Sequence, residues 1–230
     1  MRAMRFILNR FFRFWALLLI MLGVHIAMMA AVMIFHADLS GDDASDYLIC
    51  KLFALIPMTF AVLLHMLFLS AQTTGCRLVR SMPMAAVLYT KAMPALLVAV
   101  TLCYALLTVI PYSVFIFVTE RELCNISDML IMTAIQCLYL NISGSVILSV
   151  NSMTTAFVAA YFLPMIFFGA AGFFIDWGSS LGVPLWGAVL IFVGAFAVGG
   201  AVSAIICRIM YYKSDFKERT TPQIYKGSTE

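Results

Sequence analysis

The stretch that decides the fold is residues 129–175, MLIMTAIQCLYLNISGSVILSVNSMTTAFVAAYFLPMIFFGAAGFFI, which contains no charged side chain. A helix needs about 20 apolar residues to cross the hydrocarbon core of a bilayer, so this run is long enough for two crossings. The polar residues Asn151, Ser152, Thr154 and Thr155 interrupt it and indicate a tight turn. The sequence therefore predicts two membrane helices that are joined near residue 151.

Four more uncharged runs extend the same pattern along the chain: residues 14–35, 52–76, 92–119 and 177–207. The whole sequence is 64% hydrophobic and 11% charged, whereas a soluble domain carries roughly 25% charged residues. Because lipid offers the backbone no hydrogen-bond partner, runs of this length must be helical, and they do not resemble the short alternating strands of a membrane barrel. We therefore predict an all-α, polytopic membrane protein with six transmembrane helices.

The distribution of charge predicts the orientation of these helices. Lys and Arg accumulate in the short cytoplasmic loops of membrane proteins. With the N-terminus inside and six spans, the cytoplasmic segments hold every Lys and Arg except Lys51 and Arg121. We expect cytoplasmic N- and C-termini in a multi-pass protein of the cell (plasma) membrane. The net charge of +3 then reflects asymmetry across the bilayer, not a nucleic-acid partner.

The first residues have the pattern of an amphipathic helix. With residues 100° apart, Arg2, Arg5, Asn9, Arg10 and Arg13 fall on one side and most apolar residues on the other, Phe6 being the exception. Residues 1–13 are therefore predicted to form an interfacial helix on the inner leaflet. A flexible basic tail that only sets the topology is an equal alternative.

The sequence has no motif for nucleotide, metal or hydrolytic chemistry. It lacks the GxxxxGK[ST] phosphate loop, GxGxxG and HExxH, and its six cysteines form no CxxC pair. The Asn141–Ser145 tract resembles a serine motif only superficially, because it lacks the GxSxG spacing. We therefore expect no catalytic, cofactor-binding or metal-binding residue and no enzymatic activity in this chain.

Uncharged polar side chains interrupt the predicted spans at His65, Gln136, Asn141 and Ser145. These four residues are the candidates for a translocation path. The alternative is that they hydrogen-bond neighbouring helices, which is the commoner use of such residues and of a lone intramembrane His such as His25 or His65.

Two short tracts and their places in the topology resemble the permease subunit of a type-2 ATP-binding-cassette exporter. Leu78-Val79-Arg80-Ser81-Met82-Pro83-Met84, followed by Lys91, is similar to the Leu-Arg-Ser-Leu-Pro tract and later Lys that follow the second span in that family. Tyr211-Tyr212-Lys213-Ser214-Asp215-Phe216 is similar to its basic-aromatic ending. The amphipathic N-terminal helix, the six spans and an apolar hairpin at residues 173–184 also match the family's architecture. From the residues alone, 173–184 is either such a half-entering hairpin or a short membrane-hugging turn.

The resemblance implies a function and a set of partners. Residues 75–91 would be the coupling segment on a separate cytoplasmic ATPase, which binds ATP, while residues 208–230 form a cytoplasmic tail. The residues carried over as coupling residues are Arg77, Arg80, Ser81, Pro83 and Lys91. A second permease copy or a related permease would complete the path for an amphiphilic or lipophilic substrate, such as a peptide antibiotic or drug. The chain departs from the family at residues 84–88, which are apolar.

Two alternatives to an exporter subunit remain at this level. One is a stand-alone secondary transporter or channel, for which charged groups within the spans or an inverted repeat would be expected, and neither is found. The other is a membrane assembly subunit that transports nothing.

Overall fold

The computed structural model describes residues 2–12, 44–73, 79, 82–119, 126–149 and 182–213, together with residues 19–20, 22–27, 30–31 and 34. Throughout these residues the chain is helical apart from short turns and the irregular residues 182–184, and it forms no strand. The prediction of an all-α fold is confirmed. The five principal helices are α1 (Arg2–Phe11), α2 (Ala44–Gln72), α3 (Met93–Thr119), α4 (Ile126–Ser149) and α5 (Leu185–Lys213).

Among the described residues, three helical stretches are long and apolar enough to cross a membrane. They are Ala85–Val114, Ile126–Ser149 and Leu185–Tyr212, with mean hydropathies of 2.3, 1.6 and 2.5. Met58–Ala71, within α2, is a shorter apolar stretch. Three of the uncharged runs, 92–119, 129–175 and 177–207, thus contain long apolar helices among the described residues, as predicted. Helices of this kind indicate a membrane-associated protein.

Helix α4 is the centre of the packing. It contacts α2, α3 and α5, and most of its residues are buried on every side, including Gln136, Asn141 and Ser145. A helix that is apolar all round and carries a few polar side chains is suited to such a central position. By contrast, only 11% of the apolar window of α5 is buried, and its outward face carries large apolar side chains such as Trp186, Leu190 and Val193.

The hydrogen bonds between helices define their relative directions. Gln136 and Ile147 on α4 meet Thr59 and Ser70 on α2, a constant sequence separation of 77 residues. Two bonds between α4 and α5 both span 58 residues. A constant separation means that the two sequence numbers rise together, so α2 and α5 both run parallel to α4.

Helix α3 runs antiparallel to α4. Leu97, near the start of α3, lies against Gly144 toward the end of α4, and Val109 shares a small core cluster with Leu130 and Ile131 near the start of α4. The end of the bundle at which α2 finishes and α3 begins is called the Lys91 end below. It also contains the last turns of α4 and α5.

A π-helical turn precedes α3. The chain forms a short α-helical turn, Ala85–Val87, and then the π-helical Leu88–Ala92 before α3 continues as a regular helix. Pro94 lies two residues after this turn. It has no N–H to donate to the carbonyl of Thr90, four residues earlier, and its ring would clash with that carbonyl in a regular helix. The wider turn relieves this clash. π-Turns inside helices are frequent at functional positions.

Helix α1 packs against the Lys91 end. Its Ile7 is fully buried and Ala3 is nearly so, while Arg5 and Asn9 are exposed. The helix contacts both α2 and the π-helical turn. From the sequence, residues 1–13 could be either a helix or a flexible tail. In the structure they include the helix α1, whose buried face packs against the rest of the protein.

Candidate functional site

A ladder of small and polar residues joins α4 to α5. On α4, Asn141, Ser145 and Ser149 are spaced by four residues and share one face. The facing positions on α5 are Gly199, Ser203 and Cys207, with the same spacing. These six residues are called the α4–α5 ladder.

Each step of the ladder is a direct contact. The Ser145 and Ser203 hydroxyls are hydrogen-bonded to each other at 2.6 Å, and the Ser149 hydroxyl donates to the Cys207 sulfur at 3.6 Å. At the first step there is no bond but close packing, since a Cβ atom added at Gly199 would lie 3.2 Å from the Asn141 side chain. Two of the predicted path residues, Asn141 and Ser145, therefore lie in a helix interface.

Gln136 lies on the other side of α4 and bonds to α2. Its side-chain N–H donates to the Thr59 hydroxyl, and both residues are fully buried. Asn141 donates to the Cys137 carbonyl at 2.8 Å. The side-chain oxygens of Gln136 and Asn141 have no partner among the described residues. Three of the four predicted path residues thus share α4 but face two different neighbours.

His65, the fourth predicted path residue, lies apart from the ladder. It is buried on α2, and its ring contacts those of Phe11 on α1 and Tyr104 on α3, with centroid distances of 5.6 and 5.7 Å. Its Nδ1 is 2.6 Å from the carbonyl oxygen of Ala61. A carbonyl can only accept, so Nδ1 carries the proton and Nε2 carries a lone pair, which has no partner within the described ranges.

His25 also contacts Tyr104, the tyrosine that His65 contacts. Its ring centroid is 5.4 Å from that of Tyr104, and its Nε2 is 3.2 Å from the Thr108 hydroxyl. That hydroxyl donates its single proton to the Tyr104 carbonyl at 2.9 Å, so the bond to His25 must be donated by Nε2–H. In the neutral imidazole Nδ1 therefore has the lone pair, and no described residue bonds to it.

The predicted coupling segment is partly described. Pro83 and Lys91 are exposed, whereas Val79, Ala85, Leu88 and Tyr89 are buried against the bundle. Pro83 lies in a turn, two residues before the first helical residue Ala85. Arg77, Arg80 and Ser81 lie outside the described residues.

An aromatic stack connects this segment to the end of α5. The rings of Tyr89, in the π-helical turn, and Tyr211 are stacked with centroids 5.7 Å apart. Beside them is a small cavity of about 10 Å³, also lined by Met93, Ser149 and Cys207. Tyr211 belongs to the second tract that carries the family resemblance, so this tract contacts the predicted coupling segment at the Lys91 end.

Several of these contacts were not predicted from the sequence. The partners Thr59, Thr108, Ser203 and Cys207 were all missed. A signal existed for the α4–α5 ladder, because Gly199, Ser203 and Cys207 repeat the four-residue spacing of Asn141, Ser145 and Ser149. For Thr59 and Thr108 there was no signal, since threonines are frequent in apolar helices, where they bond to their own backbone.

Other predicted features fall mostly outside the described residues. These are residues 173–181 of the apolar hairpin and residues 214–230 of the tail. Residues 182–184 are non-helical, and Gly182 has a positive φ of 55°, a conformation that favours glycine. Within the described part of the chain, no three His, Cys, Asp or Glu side chains gather into a group that could hold a metal ion.

Comparison with known proteins gives no further guide to the site. No protein-family model matches the chain, and no curated protein or solved structure matches it either.

Proposed function

We propose that this chain is the membrane-spanning subunit of an ATP-binding-cassette exporter that moves an amphiphilic or lipophilic substrate with the energy of a separate ATPase subunit. The proposal rests on the resemblance of two tracts and on one structural observation, the form of the coupling segment at the Lys91 end.

One face of the proposed coupling segment is buried against the bundle, and the other face is exposed. Leu88 and Tyr89 are buried, and they hold the segment against α1 and α5, while Pro83, Val87 and Lys91 are exposed. A soluble partner that pushes on such a segment would act on three helices at once, because the buried side chains leave little room for independent movement. This is the property that a coupling segment requires.

The proposal includes six spans with both ends in the cytoplasm. The parallel direction of α4 and α5 supports it, since two parallel spans that follow one another need a return crossing between them. Residues 150–184 are long enough for that crossing, and Asp176 is their only charged residue. The Lys91 end would then be cytoplasmic, in agreement with the positions of the basic residues.

The chemistry of the interior supports the proposed substrate class. The buried residues among those described are apolar or uncharged polar, apart from the two histidines. Such an interior suits an amphiphile better than a small ion, which would require charged or carbonyl ligands. The exposed apolar face of α5 is available to lipid or to a second permease copy.

The experiment that tests the proposal is copurification of the chain from its native host in mild detergent. We expect a soluble ATPase to accompany the unaltered chain and the complex to hydrolyse ATP. In the triple variant Arg77→Glu/Arg80→Glu/Lys91→Glu the retained ATPase should fall by about tenfold or more, since a loss of only about 1.4 kcal/mol of binding free energy has that effect.

A matched control is Arg208→Glu. Arg208 is exposed on α5 at the same end of the bundle but lies outside the coupling segment, so its reversal changes the charge of the surface and should leave the ATPase bound. If no ATPase accompanies the unaltered chain, the exporter proposal fails, and a stand-alone transporter or channel or an assembly subunit takes its place.

A further inference from the structure

An apolar groove runs between α4 and α5 on the side of the bundle that faces away from α3. Gly200 of α5 packs against Val98 of α3, and Ser203 bonds to α4. Successive residues of a helix are about 100° apart, so the flank of α5 opposite Gly200 carries Ile191, Ala195, Val198 and Val202. Ile191 and Val198 are 43% and 54% exposed, and the other two are half-buried.

Helix α4 forms the other wall of the groove. Its sides toward α5, α2 and α3 are marked by Ser145, Ile147 and Gly144, each of which contacts the helix concerned. The side that remains carries Ile135, Leu138, Ile142 and Val146, all half-buried except Ile142, which is 37% exposed. No helix among the described residues covers this side, so α4 is enclosed on three sides and open at the groove.

The lining of the groove is suited to lipid or to another apolar helix, since it has no charged or polar side chain. The apolar runs 14–35 and 150–175 lie largely outside the described residues. The first of them is held on the α3 side of the bundle, where His25 lies 3.2 Å from Thr108 and its ring contacts Tyr104. Residues 150–175, which carry no charge, remain as the candidate within this chain.

The ends of residues 150–184 are both fixed beside the groove. The segment starts after Ser149, whose hydroxyl donates to Cys207 near the end of α5, and it stops before Leu185, the first residue of α5. From Leu185 to Cys207, α5 advances 22 residues, or about 33 Å. Residues 153–175 span the same 22 steps, so a helical crossing of that length leaves a short connection at either end.

The other positions around α5 offer no equivalent course. On the α3 flank, the π-helical turn closes the Lys91 end, because Tyr89 stacks on Tyr211 at a centroid distance of 5.7 Å. A chain that leaves Ser149 on that flank would have to pass around the stack. On the outermost face, beside the exposed Leu190, the segment would touch α5 alone. The groove has two walls, and close packing is what holds helices together in lipid.

We propose that residues 150–184 cross back along this groove, antiparallel to α4 and α5, and that the groove is their docking site. The inference rests on the return crossing of the proposed topology and does not use the exporter activity. With the segment in place, α4 is enclosed on all four sides. The polar side chains of the α4–α5 ladder are then separated from lipid on the side of the groove.

The sequence of the segment fits the groove in size. Counted from both ends, Val158 comes level with Val202 and Gly169 comes level with Ile191. Residues 159–160 and 169–172 are all Ala or Gly, and small residues let the backbones of two membrane helices approach closely. The small residues of the segment therefore lie opposite the branched side chains of α5.

The test is disulfide formation between pairs of cysteines in the full chain, in native membranes and in a cysteine-free background. Ile191→Cys is combined in turn with a cysteine at each of residues 166–173, two helical turns that present every side of the segment to α5. A disulfide requires Cα atoms within about 7 Å of each other. We expect at least one combination to give a disulfide-linked peptide, identified by mass spectrometry in the monomer band of a non-reducing gel.

Val193→Cys is the matched control. Val193 is exposed like Ile191 and only two residues away, but it lies about 200° around α5 from it, so it should not link to residues 166–173. Val202→Cys tests the depth, because it lies in the groove about 16 Å from Ile191 along α5. It should link to positions within 155–162 and not to 166–173. Ser145→Cys/Ser203→Cys, whose native side chains touch, is the positive control for oxidation.

Three outcomes overturn the proposal. A disulfide that joins two chains, seen as a dimer band, would assign the groove to a second copy. No disulfide at any tested position, with the positive control oxidised, would leave the groove to lipid. Equal linking of Val193→Cys and Ile191→Cys would contradict the assigned face. Thiol labelling of Pro184→Cys and Lys91→Cys from the two sides of the membrane tests the crossing separately, so a failed topology and a failed docking give different results.

Discussion

Gly144 is a residue whose missing side chain allows three helices to meet. A Cβ atom there would lie 2.7 Å from one methyl group of Leu97 on α3 and 3.4 Å from Met66 on α2. Leu97 and Met66 are themselves fully buried, so neither can move aside easily. The close approach of α2, α3 and α4 near the Lys91 end thus requires a residue without a Cβ atom at position 144.

We predict that Gly144→Val lowers the free energy of unfolding by about 1–3 kcal/mol, the usual effect of overpacking a dense interior. Gly194→Val is the matched control: both glycines are in apolar helices, but a Cβ atom at Gly194 would meet nothing within 4 Å. Equilibrium unfolding in mixed micelles measures both variants. Similar losses in the two would show that helix propensity, and not the α3 contact, explains the effect.

At the level of helices, the α4–α5 ladder combines two kinds of contact. Gly199 permits close approach, and the Ser145–Ser203 bond then forms at 2.6 Å. Between apolar helices in lipid there is no hydrophobic driving force, so packing and such bonds supply the association. The aligned four-residue spacings fix the register, since a slip of one residue would separate every pair.

A double-mutant cycle on Ser145→Ala and Ser203→Ala should give a coupling of about 0.5–1.5 kcal/mol, the range of measured hydrogen bonds between membrane helices. The comparison cycle uses Ser143→Ala with Ser203→Ala. Ser143 is about as buried as Ser145, and both donate to a carbonyl of their own helix, but of the two only Ser145 also bonds to Ser203. Its coupling to Ser203 should be near zero, and a coupling equal to that of Ser145 would contradict the register.

The sequence was sufficient for the positions of the helices and insufficient for their pairing. Absence of charge is a local property, so the run 92–119 anticipated α3. Helix α2 begins earlier than its run and includes Asp46 and Lys51, because charged residues at a helix end can remain at the membrane surface. A hydrogen bond such as that between Gln136 and Thr59 depends on how two helices are placed relative to each other, and a local sequence pattern does not indicate that placement.

The structure of residues 82–91, within the proposed coupling segment, was predicted only in outline, for a similar reason. Pro83 and Lys91 are exposed, as an interaction surface requires, but the π-helical turn between them was not predicted. Pro94 could have signalled it, although a proline there is also compatible with the first turn of a new helix. Which of the two occurs depends on Leu88 and Tyr89, whose burial against α1 and α5 keeps the helix continuous.

For the whole molecule, the parallel alignment of α2, α4 and α5, with α3 antiparallel to them, gives a topology that can be tested. In a cysteine-free background we expect Pro184→Cys to react with a membrane-impermeant thiol reagent in intact cells. Lys91→Cys should react only after the cells are permeabilised. Both positions are exposed in the structure, so the difference reports the side of the membrane. Labelling of both from the same side would contradict a full crossing by α5.

The central helix also has a consequence for how the chain is made. Helix α4 is the most buried of the three long apolar helices and the least apolar, with a mean hydropathy of 1.6 against 2.5 for α5. Its hydrogen-bond partner Ser203 is synthesised 58 residues after Ser145. At about 5–20 residues per second, translation leaves α4 without that partner for about 3–12 s. During that interval its polar face must be sheltered by α2 and α3 or by the insertion machinery, so a ribosome that stalls before α5 should leave a product open to membrane proteases.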